Sequence, residues 1–172
     1  MKTLPTKSIE VSFSISGVDF DKTAVGPAKG KTFTKGNFKY KVTTESMKSA
    51  KTKKISTGKV TVIGLSKKGK KAKKLTIPAS LTQKKGKFKV TAMKAGALKA
   101  AKASTVTIGK NVKKLPKNVF QKCTNLKKLT LKAKLTSVNK KAFNGCTKTI
   151  KVAGTSKKTN LKKIKKVYTK AK

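Results

Sequence analysis

Gly64-Leu-Ser-Lys-Lys-Gly69-Lys70 carries most of a phosphate-binding loop, in which backbone N–H groups cradle phosphates and a lysine reaches them. The next residue is Lys71, where the pattern needs a Ser or Thr to hold magnesium, and no aspartate lies downstream to assist. Residues 71–77 are also too few for the helix such a loop must open before Pro78. A lysine-rich hairpin turn is the better account. Asp19 and Asp21 would share one side of an extended segment and hold calcium weakly, but two carboxylates are too few, and loop solvation is the simpler expectation. Cys123 and Cys146 have no histidine and no nearby carboxylate to complete a zinc shell. The absence of histidine removes the imidazole base, the hydroxyl residues have no evident activating partner, and no one lysine stands out as a nucleophile. The chain is expected to be a non-enzyme, with no cofactor and no metal.

Charge is the chemistry that remains. All 47 basic residues are lysine, and the only acids are Glu10, Asp19, Asp21 and Glu45. Eight lysines lie in the first 45 residues, leaving 39 in a remainder with no side-chain carboxylate. Salt bridges cannot organise that part, and its continuous positive field favours polyanions. Two ammonium groups about 5 Å apart in water repel by roughly 0.8 kcal/mol, and salt screens beyond about 8 Å, so buried apolar residues can outweigh the repulsion.

The elements that must carry these lysines show in a repeat. Val90, Met93, Ala97, Leu98 and Ala101 recur as Val112, Leu115, Val119, Phe120 and Cys123, then as Leu135, Val138, Ala142, Phe143 and Cys146. The blocks start 22 and then 23 residues apart, inside the roughly 20–29 residue period of leucine-rich repeats. Each is followed by a short strand: Val106-Thr-Ile108, Leu129-Thr-Leu131 and Ile150-Lys-Val152. Side chains alternate across a strand, so Thr107, Thr130 and Lys151 are expected to face out, from parallel strands about 4.8 Å apart. Phe120 and Phe143 are expected to stack inside. Cys123 and Cys146 fall at one place in adjacent coils. A disulfide is geometrically admissible there, and two buried small hydrophobes, with Ala101 as the first block's equivalent, is the favoured reading.

Upstream, Ile9, Val11, Phe13 and Ile15 alternate as in a half-buried strand, and Gly17 through Gly30 look like turns and loop. Lys35-Gly-Asn37 is a hairpin turn before Phe38, Tyr40 and Val42. Residues 43–58 are polar and aperiodic, a loop or linker. Further strands are expected at Lys59–Ile63, Leu75–Ile77 and Phe88–Val90, with a turn at Lys84–Lys87, as hairpins capping one end of the stack. Leu161, Ile164 and Tyr168 have helical spacing among lysines, which suits a cap on the last coil or a basic surface helix.

The run from Ile108 to Leu126 and then Val138 to Cys146, with its Ala/Val-Phe-x-x-Cys ending, resembles the BspA-type leucine-rich repeats of bacterial surface proteins. The likeness covers roughly residues 73–155. The first block departs from it, with Leu98 and Ala101 where the others have Phe and Cys. The resemblance implies a right-handed solenoid, an extracellular or cell-surface location, and a role in adhesion or host contact. The fold class expected is a β-rich leucine-rich-repeat solenoid of short parallel strands preceded by an antiparallel β-hairpin region. Its parts would be residues 1–58, a strand, hairpin and loop region; 59–155, hairpin cap plus solenoid; and 156–172, a lysine-rich cap or tail.

The N-terminus lacks the roughly 7–15 residue apolar core of a signal peptide, and no membrane span is present. Taken literally the chain is unexported, although a piece of a longer exported protein would look the same. The functional expectation is binding of anionic polymers (teichoic acid, sulfated glycans) or acidic host proteins through Lys113, Lys127, Lys128, Lys132, Lys134, Lys140 and Lys151. Non-specific nucleic-acid binding is an alternative. Lacking arginine, the chain is poorly equipped for bidentate base contacts, and its phenylalanines are needed in the core. A structural wall or spacer module is the third possibility.

Overall fold

A computed structural model describes residues 22–172. The alternating run at residues 9–15 and the Asp19/Asp21 pair lie outside the described residues.

The first half is built on alternation. After β1 (Lys22–Ala24), β2 (Thr32–Lys35) and β3 (Phe38–Thr44) form the expected hairpin, with Gly36 at its tip in the left-handed region at φ 58°. Phe38, Tyr40 and Val42 are buried while Lys39 and Lys41 face solvent. β4 (Met47–Ser49) pairs antiparallel with β1, and β5 (Thr57–Leu65) pairs with β3. Residues 43–58 are therefore not the loop their composition implied. Fully buried Ser46 explains the difference: its hydroxyl donates to the Ser56 carbonyl at 2.7 Å and accepts from Lys87 N at 3.1 Å. Hydrogen bonds, which leave no hydrophobic period, organise this stretch.

Next come α1 (Lys67–Lys71), β6 (Lys74–Ile77), β7 (Ser80–Gln83) and β8 (Gly86–Met93). The Lys67–Lys70 stretch is a short helix, not a hairpin turn. Ser66 caps it by accepting from Gly69 N, and it carries the chain from β5 in one sheet to β6 in another. Gly69 is required there, since a Cβ would sit 2.0 Å from the Asn37 carbonyl. β7 and β8 form a hairpin turning at Lys84–Lys85, as expected, but β8 pairs with β5 in parallel, so this region is not a run of hairpins. The resulting sheet has the order β2-β3-β5-β8-β7. It curls on itself: Lys35 Nζ on β2 donates to the Thr82 carbonyl on β7, and the Phe33 and Phe88 rings lie 6.4 Å apart. The two outer strands do not pair, and one lysine side chain bridges them.

The second half is the solenoid. β9 (Thr105–Ile108), β10 (Lys114–Leu115), β11 (Lys128–Leu131), β12 (Ser137–Val138), β13 (Lys151–Gly154) and α2 (Lys157–Lys165) complete the elements. β13, β11, β9 and β6 form a parallel sheet in that order, so Leu75–Ile77 supplies a coil before the three recognised blocks. On the other side of the coils, Val60 pairs with Val90 and Val62 with Met93, and Leu115 pairs with Val138. Successive coils are tied by hydrogen bonds such as Leu98 N to Val119 O at 3.1 Å and Phe120 N to Ala142 O at 2.9 Å.

The spaced apolar residues face inward. Phe120 and Phe143 stack with centroids 5.1 Å apart and planes at 21°, and Tyr168 extends the pile, 5.3 Å from Phe143. Leu98, wholly buried, takes the equivalent place in the first block. Such stacked rings add about 0.5–1.5 kcal/mol beyond area burial. α2 closes the last coil through Ile164 and Asn160, both fully buried. Residues 170–172 run along the edge of β13, with Ile150 N donating to Lys170 O at 3.0 Å and Lys172 N to Ile150 O at 2.9 Å.

Candidate functional site

The outer face of the parallel sheet is set by register. Lys74, Thr105, Lys128 and Lys151 are direct neighbours across its four strands, and Thr76, Thr107, Thr130 and Ala153 form the next outward row. Adjacent strands lie about 4.8 Å apart, so the Lys128 and Lys151 side chains leave the backbone at nearly that spacing. Beyond the strand ends, Lys110 and Lys132 border a groove of about 520 Å³ that Thr76, Thr107 and Thr155 also line. The sheet thus presents a lane of hydroxyls and small side chains between lysines at either end.

Pairing corrects one sequence-level alignment. Ile150-Lys-Val152 was expected to match Leu129-Thr-Leu131, but Val152 stands opposite Leu129, so Lys151 shares a row with Lys128 and Ala153 takes the threonine position. Ile150 instead bridges to Ala171.

The seven lysines singled out from sequence are all exposed but do not form one patch. Lys127, Lys128 and Lys151 gather at the start of the parallel strands, where Lys151 N donates to the Lys127 carbonyl. Lys132 follows β11 on the same sheet, its N–H bonded to the Ile108 carbonyl. Lys134 lies between β11 and β12, beside the Ala133 and Leu135 backbone that α2 grips. Lys113 and Lys140 belong to the β10–β12 side: Lys113 borders a groove with Lys114 and Pro116, and Lys140 borders another with Val138 and Lys166. Lys74 and Lys110 were missed. Lys74 precedes Leu75 as Lys128 precedes Leu129, a signal visible once Leu75–Ile77 is recognised as a coil strand.

No Asp or Glu side chain tempers this surface. Glu45 is the one acid among the described residues, and its Oε1 accepts from Lys29 N at 2.7 Å, away from the parallel sheet. Among the described residues no group of three His, Cys, Asp or Glu could hold a metal ion. The phosphate-loop likeness has no cradle, because the Gly69 N–H is already committed to Ser66 Oγ at 3.0 Å.

Both cysteines are free thiols. Each donates to a carbonyl of the preceding coil, Cys123 Sγ to Leu98 O at 3.0 Å and Cys146 Sγ to Phe120 O at 3.1 Å. Burial pushes the Cys123 thiol up to about 12 and raises that of Cys146 as well. A thiolate is the reactive form, so these are packing residues with a weak donor rather than nucleophiles. No helix among the described residues is long and apolar enough to cross a membrane.

Comparison with known proteins bears on the fold. A family model described as the BspA type leucine-rich repeat region (6 copies) matches residues 68–166. Among solved structures, the crystal structure of the pneumococcal vaccine antigen PcpA is similar at 19% identity with a TM-score of 0.41, over 76% of this chain and 40% of that one. This chain therefore spans less than half of that structure, and a likeness so distant carries no argument about activity. No curated protein matches the chain.

Proposed function

Because the chain belongs to the BspA-type leucine-rich repeat family, we propose that it is a non-enzymatic interaction module of a bacterial surface. It holds anionic polymers such as teichoic acids or sulfated glycans on its parallel sheet. The observation that carries this reading is the register row of Lys74, Lys128 and Lys151 on one sheet, with no Asp or Glu in the sequence after Glu45. Aligned like charges repel one another while the face is empty. A linear polyanion relieves that repulsion and releases its own counterions, so affinity falls steeply with salt. The Thr107 and Thr130 hydroxyls between the lysines supply hydrogen bonds to sulfate, phosphate or sugar oxygens.

The test compares heparin, teichoic acid and duplex DNA across a salt series. It uses the wild type, the triple variant Lys74→Gln/Lys128→Gln/Lys151→Gln, and a control triple of exposed lysines on β3 and β5, Lys39→Gln/Lys41→Gln/Lys59→Gln. Each neutralised contact lowers the slope of log K against log salt by about one. The row variant is expected to lose at least tenfold in affinity for one acidic glycan and two to three in slope, and the control much less. Equal losses in both triples, or duplex DNA bound as tightly as the glycans with the same salt dependence, would leave unspecific charge as the explanation and overturn the assignment.

A further inference from the structure

The curled sheet leaves a second site, which meets the groove beside the parallel sheet at Thr76 and Pro78 but contains none of Lys74, Lys128 and Lys151. Where β2 and β7 approach without pairing, the seam opens into a cleft of about 490 Å³, within the range of roughly 300–1,000 Å³ typical of small-ligand pockets. Tyr40, Phe38, Pro78 and Leu81 give it an apolar wall, and Asn37, Thr76 and Ser80 add polar groups. Lys35 and Lys68 also line it.

Tyr40 is 2% exposed, and burial raises its hydroxyl to about 12, yet that hydroxyl makes no hydrogen bond with any described residue. Tyr40 lines the cleft, and a buried phenol is a group that usually finds a hydrogen-bond partner. The rim is held in place before any ligand arrives. Ser66 N donates to the Asn37 carbonyl at 3.0 Å and Ser66 Oγ to the Gly36 carbonyl at 2.9 Å, clamping the β2–β3 tip against α1, which carries Lys68. Lys35 is held over the seam by its bond to the Thr82 carbonyl.

We propose that this cleft binds a single sugar ring bearing one acidic group. The hydroxyls of Tyr40, Thr76 and Ser80 both donate and accept, as sugar hydroxyls require, and Pro78 and Leu81 meet the C–H face of the ring. Lys35 and Lys68, with no carboxylate among the lining residues, take the charge. The volume suits one ring with its substituents rather than a long chain.

The experiment titrates the protein, at about 150 mM salt, with N-acetylglucosamine 6-sulfate, glucuronic acid, neutral N-acetylglucosamine and inorganic sulfate, by calorimetry and amide chemical shifts. One of the acidic sugars is expected to saturate at one per chain with shifts at residues 35–40 and 76–81. Lys68→Gln, at an exposed position, is expected to weaken it at least fivefold, and Tyr40→Phe, which keeps the packing, about fivefold. The Lys74→Gln/Lys128→Gln/Lys151→Gln variant should bind it unchanged, which separates this site from the polymer face. Absence of saturable binding, equal binding of inorganic sulfate or of the neutral sugar, or indifference to both Lys68→Gln and Tyr40→Phe would overturn the proposal.

Discussion

Asn160 joins α2 to the coil it covers. Its side chain is fully buried, with Oδ1 accepting from Leu135 N at 2.8 Å and Nδ2 donating to the Ala133 carbonyl at 2.8 Å and the Thr155 carbonyl at 2.9 Å. Asn160→Ala strands a buried N–H and a buried C=O, at about 1–3 kcal/mol each. Thr155 is exposed, so its carbonyl recovers water. The expected loss is about 4 kcal/mol, a large part of the roughly 5–15 kcal/mol of a typical domain. With a urea slope near 2 kcal/mol/M, the midpoint should drop by about 2 M. Asn160→Leu should fare no better, because it restores volume without hydrogen bonds. In a solenoid each coil leans on its neighbour, so amide exchange should quicken first in β13 and β12 and last in β9. If both variants lose less than about 1 kcal/mol, or if β13 keeps its protection, then Asn160 is not what secures the cap.

Three further outcomes are expected. Phe120→Ala should cost about 3–5 kcal/mol in urea unfolding, whereas Phe120→Leu should cost under about 1.5 kcal/mol, because Leu98 already serves that position in the preceding coil. Cys123 should resist iodoacetamide at pH 8 in the folded protein, since with its thiol raised to about 12 only about one molecule in ten thousand holds a thiolate. The fold favours the protonated thiol, so that contribution is complete below about pH 9 and is lost as the pH climbs toward 12. Wild type should therefore lose stability over that window relative to Cys123→Ala, and parallel pH profiles would contradict it.

How much could be read beforehand depended on what each element leans on. Phe120, Phe143 and their companions were legible because a 23-residue coil repeats the same inward positions, and both the ring stack and the short parallel strands follow from that spacing. β6 was not legible as a coil strand, because 31 residues separate Lys74 from Thr105, the β7–β8 hairpin being inserted between them. Ser46 and its neighbours were missed because hydrogen bonds to Ser56 and Lys87 leave no apolar rhythm. For the candidate site, the excess of lysine was plain, but which lysines share a row is a matter of pairing. Lys151 was placed two residues out of register, and Lys74 and Lys110 were overlooked. Lys113 and Lys140 lie on the β10–β12 side of the coils, a division that charge counting cannot express.

The hydrogen bonds of residues 170–172 to Ile150 and Val152 have a consequence for assembly. An open parallel strand is a template onto which a further repeat, or a neighbouring molecule, can add without limit. Here that template is already taken, and α2 sits across the end of the pile. Addition of another molecule at this edge would first require residues 170–172 to peel away from Ile150 and Val152.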